Sequence, residues 1–353
     1  MSALILSVDP EVDLFFKLHN KNNGEVIYEK RVLRSKTTSD YFEFLSEIIS
    51  EVSATAQTAI LNDRLEKTKE EIKAGTIELY NIGVLECIVL SNTALSDRDP
   101  ISFRHGYTCL ESLLTNPELP EKASVLSHFG ALTFVGARNK ALNAQAINPE
   151  INVADGIDMM KRSALLDPDN PSAQYFLSQA YNVIGEKELA LKHAHLGHEA
   201  NPASNGILTV LSNRLAANGD WNCAINMANK ALDRNPKPRG HYYLTTFAWA
   251  MLNDDKAELI NIANKVSDAK YYYSDVFQFL AATANNDQDK VEELRSSVIK
   301  LSTENFDPDY KDTHSMIHFM SLHGNEELYS IVYELFLAGG ITIKDGIIMS
   351  EEL

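Results

Sequence analysis

The sequence predicts a mostly α-helical protein, in which a solenoid of stacked helix hairpins follows a small αβ element. Three observations predict this fold class: a period of 34 residues in the middle of the chain, paired amphipathic helices on both sides of it, and strand-like alternation near the N-terminus. The period is carried by identical residues 34 positions apart: Pro168, Pro202 and Pro236, and the pairs Leu177/Leu211, Ser178/Ser212, Gly185/Gly219, Ala190/Ala224 and Ala194/Ala228.

One period contains two helices. From Tyr175 to Ile184 apolar residues recur at helical spacing, and Gly185 follows, where the end of a helix favours a left-handed residue. The stretch from Glu186 to Glu199 predicts a second helix, which Pro202 stops. A single hairpin of this size cannot bury its apolar face, so we expect each hairpin to stack on the next.

Small residues at Ser178, Ala190 and Ala194, a turn glycine and a closing proline give a pattern that resembles the tetratricopeptide repeat. The resemblance implies a superhelix whose concave face is lined by the first helix of each pair. It also implies that a protein or peptide partner, extended or helical, binds in that groove. By resemblance, the residues on the groove face are Tyr175, Gln179, Asn182, Thr209, Asn213, Ala216, Tyr243 and Phe247.

Some repeats of this kind hold the C-terminal carboxylate of their partner with Lys or Arg beside Asn. Asn182 and Asn213 are present here, but basic residues at the matching places are not. A carboxylate clamp is therefore not expected from the sequence.

The chain divides into four predicted segments: a β-hairpin or strand element at 1–36, a long covering and connecting helix at 37–75, a helical array at 76–337 with its strongest repeats at 171–236, and a C-terminal tail with a short hairpin at 338–353. The array has room for about six helix pairs. In the first segment Leu4, Leu6 and Val8 alternate, and Asn22-Asn23-Gly24 provides the tight turn of a hairpin.

The helices of the array follow from apolar spacing and from Gly and Pro breaks. A first pair is predicted within Ile77–Pro117, and further helices at Ala123–Ala146, Val153–Leu166, Ser274–Ala284, Lys290–Leu301, Thr313–Leu322 and Glu326–Leu337. After Pro236 the pattern weakens, because Asn253 replaces the turn glycine and Lys270 the closing proline.

The formal charge of −17 argues against direct contact with nucleic acid or with an anionic membrane surface, since both require a basic face. No apolar run is long enough to cross a membrane, and no secretory signal begins the chain. Cys87, Cys109 and Cys223 are widely spaced, so we expect buried thiols in a reducing, cytoplasmic compartment.

No motif for nucleophilic catalysis, phosphate binding or dinucleotide binding is present, so the sequence predicts a non-enzymatic protein without cofactor or metal. His195, His198 and Glu199 share a helix face with His193 nearby, but a solvated face explains them better than a metal site. His314 and His318 lack the acidic residue of a metalloprotease helix. Tyr271–Tyr273 is expected to begin a helix that packs on the previous pair, rather than to stack on bases.

The order of hairpin, long helix and repeats is similar to the C-terminal regions of bacterial one-component transcription regulators and class III adenylate cyclases. This resemblance is carried by Gly24–Arg31, Tyr41–Val52, Asn218–Trp221 and Asn235–Leu244. It implies an αβ domain before the repeats and an output domain upstream of it. The sequence contains neither a winged helix nor a cyclase domain, so the resemblance implies a sensory or regulatory part that begins inside the αβ domain.

Three functions are open at this point. The first is a regulatory module that binds a protein or peptide. The second is an enzyme built from His and carboxylates, which no motif supports, and the third is a small-ligand sensor with its ligand between the αβ element and the first repeats. We also expect the edge of the N-terminal strands to pair, in one arrangement with a second copy of the chain as a homodimer, because a bare strand edge invites aggregation.

Overall fold

A computed structural model describes residues 2–7, 11–19, 26–35, 70, 83–116, 119, 122–139, 142–235, 238–269, 271–305, 316–323, 325–344 and 347–349. The long helix predicted at 37–75 and the hairpin turn at Asn22-Asn23-Gly24 lie outside the described residues. His314 and Lys270 also lie outside them.

The N-terminal strands form an antiparallel meander in the order β1-β2-β3. The strands are β1 (Ser2–Ser7), β2 (Glu11–His19) and β3 (Val26–Ser35). Leu4 lies opposite Phe15 in the first pair, and Phe16 lies opposite Lys30 in the second. Strands β1 and β3 are the two edges of this sheet.

Helices make up most of the remaining described chain. They are α1 (Val84–Asp97), α2 (Pro100–Leu114), α3 (Lys122–Arg138), α4 (Val153–Leu166), α5 (Pro171–Val183), α6 (Lys187–Ala200), α7 (Asn205–Ala217), α8 (Trp221–Asp233), α9 (Leu244–Leu252), α10 (Lys256–Asp268), α11 (Ser274–Ala284), α12 (Gln288–Asn305), α13 (Met316–Met320) and α14 (Glu326–Ala338). Two short strands, β4 (Ile343–Lys344) and β5 (Ile347–Ile348), pair antiparallel in the C-terminal tail.

Two serines show that the repeats are structurally equivalent. The Ser178 hydroxyl of α5 donates to the Ala190 carbonyl of α6 at 2.8 Å, and the Ser212 hydroxyl of α7 donates to the Ala224 carbonyl of α8 at 2.8 Å. All four residues are buried, as close approach of two helices requires. The predicted fold class, a helical-hairpin solenoid like that of tetratricopeptide repeats, is confirmed, and the described part of the N-terminal element is the three-stranded meander.

The turn glycines also repeat. Gly185 and Gly219 have φ values of 85° and 84°, and the amide of the next residue closes each helix end by bonding the carbonyl five positions back. In the following hairpin the left-handed residue is Asp254, with φ of 50°, and not Asn253 as the sequence predicts. The third repeat therefore contains one extra residue before its turn.

The connection after α3 differs from the prediction. The sequence predicts a helix from Ala123 to Ala146, but α3 ends at Arg138 and a short 3-10 turn follows at Ala144–Ala146. Asn143 enters that turn with φ of 51°, a conformation that Asn tolerates. The break brings Leu142 and Ala144 into the core beside α2, and both are buried.

The first hairpin contains a disulfide. Cys87 in α1 and Cys109 in α2 are bonded, with their Cα atoms 5.4 Å apart and both side chains buried. The expectation that these are free thiols is wrong, because two antiparallel helices bring residues 22 positions apart face to face. Cys223 is a free thiol and is exposed rather than buried.

Candidate functional site

The array curves until its first hairpin touches its later ones. Arg98, in the turn between α1 and α2, donates from Nη1 to the Tyr273 hydroxyl at 2.8 Å, across 175 positions of sequence. The Arg98 guanidinium also lies 5.4 Å from the centre of the Tyr273 ring. Both residues of this contact line a cavity on the concave side of the array.

The cavity has a volume of about 440 Å³. Helices α1, α3, α5 and α7 supply much of its wall, and the segments before α9 and α11 and after α13 complete it. The first helices of the pairs line the interior, as expected for repeats of this type. Five predicted groove residues lie in its wall: Tyr175, Gln179, Asn182, Thr209 and Asn213.

The polar groups of these residues are oriented by bonds within the wall. The Thr209 hydroxyl donates to the carbonyl of Asn205, and the Asn213 side-chain oxygen accepts from Thr245 at 2.5 Å. Asn182 and Thr209 are almost fully buried at 2% and 3% exposure. Because water barely reaches these groups, a ligand in the cavity would meet polar groups that are already oriented.

The structure places the remaining predicted groove residues elsewhere. Phe247 is fully buried, and its ring packs on Phe277 with 4.7 Å between centroids. Tyr243 packs partly buried against the core and does not line the cavity, and Ala216 is buried in the core. The extra residue in the third repeat explains the positions of Phe247 and Tyr243. One added residue rotates the side chains that follow it by about 100° around the helix axis.

Four arginines line the cavity, and sequence reasoning did not identify any of them as site residues. They are Arg98, Arg138, Arg214 and Arg239, and the described residues of the wall include no Asp or Glu. The sequence analysis considered basic residues only at the places that match a carboxylate clamp, and these four arginines lie at other places. Only Arg214 lies on one of the strong repeats; the other three come from loops or from the end of α3, where the period gives no guide.

Arg214 is almost fully buried, and it has no carboxylate partner among the described residues. Its side chain is on α7 at 4% exposure, and its Nη2 donates to the Gln179 side-chain oxygen. Its Nε lies buried without a hydrogen-bond partner in the described part of the chain. Burial lowers the pKa of Arg214 to about 9, which still leaves it charged at neutral pH.

The other side of the cavity is aromatic and carries Arg239. Tyr271, Tyr272 and Tyr273 precede a helix and pack against the core, as expected, and all three also line the cavity. Burial, together with the neighbouring charges of Arg239 and Arg98, lowers the pKa of His241 to about 3, so this imidazole is neutral at pH 7. The formal charge of the described wall therefore comes from its arginines.

One glycine in the wall has room for an added Cβ atom. Gly206, in the first turn of α7, has a backbone conformation that any residue can adopt. A Cβ atom there would lie 3.9 Å from Ser204 Oγ and from the Tyr242 hydroxyl, which is ordinary contact distance. A larger side chain at Gly206 would therefore extend into the cavity without moving the helix.

The histidine cluster on α6 contributes no ligand set. His193 lies with Nδ1 2.6 Å from the Gln174 side-chain oxygen and stacks on Tyr181 at 5.3 Å, whereas His195 is exposed. Within the described ranges, no group of three His, Cys, Asp or Glu side chains is placed to hold a metal ion. Among the helices that the structure describes, none combines the length and apolar character that crossing a bilayer needs.

Comparison with known proteins gives no family. No family model matches the chain, and no curated protein matches it. Among solved structures, it is similar to MamA from AMB-1, to MamA from MSR-1 and to a MamA point mutant, each at 18% identity over 51% of this chain. These matches cover 87% to 92% of the MamA chains at TM-scores of 0.32 to 0.33. Scores of this size carry no argument about function, so the repeat assignment rests on the geometry of this chain.

Proposed function

We propose that this chain is a non-enzymatic interaction module that binds a short peptide segment inside its curved array. The observation that carries the proposal is the cavity of about 440 Å³, lined by the first helices of successive repeats. That volume lies within the roughly 300 to 1,000 Å³ typical of ligand pockets. It accommodates a few residues of a peptide rather than a long helix.

The wall suits a peptide because its side chains can both donate and accept hydrogen bonds. Asn182, Asn213 and Gln179 carry amides, and each amide has an acceptor oxygen and donor hydrogens that match the backbone of a peptide. Tyr175 and Phe176 add apolar surface for side chains. Amides and aromatic rings of this kind support the recognition of a peptide.

We further propose that the module is the sensory or regulatory part of a bacterial transcription regulator, as the resemblance of its N-terminal segments implies. A signalling protein similar to the class III adenylate cyclases is the alternative. We place the module in the cytoplasm on the same ground. The Cys87–Cys109 disulfide weighs against that location, because disulfides are rare in cytosolic proteins. Trapping of thiols in intact cells would decide, and a fully oxidised pair would count against the cytoplasm.

A second candidate function is the sensing of a small molecule in the same cavity. The Arg98–Tyr273 contact favours it, because this contact bridges two parts of the cavity wall that a continuous groove would leave apart. The location predicted from sequence, between the αβ element and the first repeats, lies largely outside the described residues. Peptide binding and metabolite binding are therefore alternatives for the same cavity.

A blocking substitution tests the proposal. Gly206→Trp fills the cavity from α7, and Asn229→Trp places the same side chain on the exposed face of α8 as the control. Each protein is incubated with a pool of random-sequence tetrapeptides and, separately, with a metabolite panel, and retained molecules are identified by mass spectrometry. We expect the wild type and the control to retain the same peptides and Gly206→Trp to retain none. If only metabolites are retained, the sensor is correct; if Gly206→Trp retains the same peptides, the cavity is not the site.

We also propose that the N-terminal sheet pairs edge to edge with a second copy through β1 or β3. The support is the strand order, which leaves these two strands at the edges of the described sheet. Light scattering of the full chain tests it: a dimer that dissociates when proline replaces Leu4 in β1 or Val32 in β3 is expected. A monomer at all concentrations would contradict it.

A further inference from the structure

The charge of the cavity is opposite to that of the chain. The sequence has 49 Asp and Glu against 32 Lys and Arg, yet the described wall of the cavity contains four arginines and no carboxylate. Ion pairs form between Lys161 and Asp158, Lys290 and Glu293, and Arg295 and Glu292, each within one helix turn and each with an acidic side chain 64% to 70% exposed. The carboxylates of the chain are thus available on the surface, but Arg98, Arg214 and Arg239 have none as a partner in the described part.

We propose that the ligand is an acidic peptide, whose carboxylates pair with Arg98, Arg214 and Arg239. This inference rests on the proposed function and adds the chemical class of the peptide. A guanidinium presents its donors in a planar fork, which matches the two oxygens of a carboxylate. Three such forks around one cavity select against neutral and basic peptides.

Arg214 is the centre of the proposed site. A buried cation without a counter-charge is unfavourable, because the protein replaces the water that solvated it with fewer dipoles. Gln179 satisfies one nitrogen of Arg214, and Nε remains buried without a partner among the described residues. A carboxylate entering beside Gln179 would supply both the missing charge and an acceptor for Nε.

Arg239 and Arg98 line the cavity with the tyrosines. Arg239 is partly buried and close enough to Tyr175 and Tyr242 to affect their pKa values, and no hydrogen bond or ion pair joins its side chain to another described residue. Arg98 uses Nη1 for Tyr273, which leaves other donors of its fork for a ligand. His241 between them is neutral, so it adds a polar contact without repelling the arginines.

Defined peptides test the charge preference. The probe is acetyl-Glu-Phe-Glu-amide with a fluorescent label, and the matched probes carry Gln or Lys in place of both Glu. Binding to the full chain is measured by fluorescence anisotropy at about 50 and about 500 mM NaCl. We expect the acidic probe to bind at least tenfold more tightly than the Gln probe, and to weaken as salt rises; equal binding of the three probes would overturn the acidic preference.

Variants connect the preference to the arginines. Arg239→Gln and Arg214→Gln are each expected to weaken the acidic probe by about tenfold, the loss of one charge-assisted hydrogen bond, and to leave the Gln probe unchanged. Arg162→Gln, an exposed position of α4 outside the cavity, removes the same charge as the control and is expected to have no effect. If Arg214→Gln does not fold, the partly buried Arg239 gives the answer alone. An unchanged affinity in Arg239→Gln would overturn the proposal.

Further probes separate the sources of negative charge. Acetyl-Glu-Phe-Glu with a free C-terminus tests a terminal carboxylate, and inorganic phosphate and AMP test phosphate groups by competition. Stronger binding of the free acid supports the proposal and assigns one arginine to the terminus. Displacement by AMP at lower concentration than by the peptide would overturn it in favour of a nucleotide. If random tetrapeptides bind in the cavity without acidic preference, the peptide function remains and only this inference fails.

Discussion

The Tyr273 hydroxyl accepts a hydrogen bond from Arg98 at 2.8 Å, and these two residues are 175 positions apart in the chain. Arg98 belongs to the first hairpin of the array and Tyr273 directly precedes α11. Their contact closes the array between two hairpins that are far apart in the sequence, and both residues line the cavity. Neither residue belongs to the 34-residue period, so the local sequence does not indicate this contact.

Removal of the Tyr273 hydroxyl should loosen this closure. Tyr273→Phe keeps the ring beneath Arg98 and deletes the acceptor, so we expect a loss of about 1 to 2 kcal/mol in the free energy of unfolding. Urea denaturation measures it. Tyr243→Phe is the control, because the Tyr243 side chain packs partly buried outside the cavity and its loss of a hydroxyl should cost less. An equal loss of unfolding free energy in both variants would mean that the Arg98–Tyr273 contact does not contribute to stability.

The equivalent serines should both matter for stability. Ser178→Ala removes one buried hydrogen bond between the helices of a pair, and Ser212→Ala removes the equivalent bond together with the contact to Thr245 Oγ1, so each should cost at least about 1 kcal/mol of unfolding free energy. Ser330→Ala is the matched control, since Ser330 is exposed and bonds only within its own helix. Urea midpoints of the three variants give the comparison. A loss at one of the two buried serines without the other would contradict the structural repeat.

His128 should make the protein sensitive to acid. Its ring lies buried on α3, edge-on to Phe176 at 4.9 Å, with Nδ1 2.8 Å from the Ser124 carbonyl. Burial lowers the pKa of His128 to about 4, below the value of about 6.5 in the unfolded chain. The unfolded state therefore binds the proton first, and stability present above pH 6.5 is lost as the pH falls toward 4, by about 3 kcal/mol from this residue.

The difference between wild type and His128→Leu isolates that contribution. Urea unfolding from pH 7 to pH 4.5 should show a smaller loss of stability in His128→Leu than in the wild type. His195→Leu, on the exposed face of α6, should keep the wild-type slope. Parallel pH curves for all three proteins would show that His128 does not titrate in this way.

The Cys87–Cys109 bond should stabilise the first hairpin. Closing a loop of this separation is worth about 3 kcal/mol in the chain-entropy model. We expect the double variant Cys87→Ser with Cys109→Ser, and the wild type in reductant, to unfold at lower urea than the oxidised protein. Cys223→Ser should unfold like the wild type, because this thiol is free and exposed. Indifference of the wild type to reductant would argue that the bond does not form in solution.

The sequence pattern predicted the parts of the fold in which the same contacts recur in successive hairpins. The 34-residue period placed Ser178 and Ser212, and it selected Tyr175, Gln179 and Asn213, which the structure brings into one wall. Phe247 was assigned to the groove because the period was extended through a hairpin that contains one extra residue. A change of one position is invisible in a weak repeat, but it moves a helical side chain to another face.

The cationic character of the site could not be predicted in this way. Arg98 and Arg239 lie in connections between helices, and their meeting depends on curvature accumulated over several hairpins. The net charge of −17 pointed away from them, since a sum over the whole chain does not report where the charges lie. The disulfide was missed for a related reason, because the separation of 22 residues has meaning only once the phase of both helices is known.

Hydrogen–deuterium exchange of the full chain, with and without saturating acetyl-Glu-Phe-Glu-amide, tests the central claim most directly. The account predicts slower exchange in the helices that line the cavity, above all in α5 and α7 and in the segment that carries Arg239. In the outer helices α6 and α8 we expect no change in the exchange rate, except at residues that contact α5 or α7. Protection confined to those outer helices, or to the N-terminal strands, would contradict the binding of the ligand in the cavity.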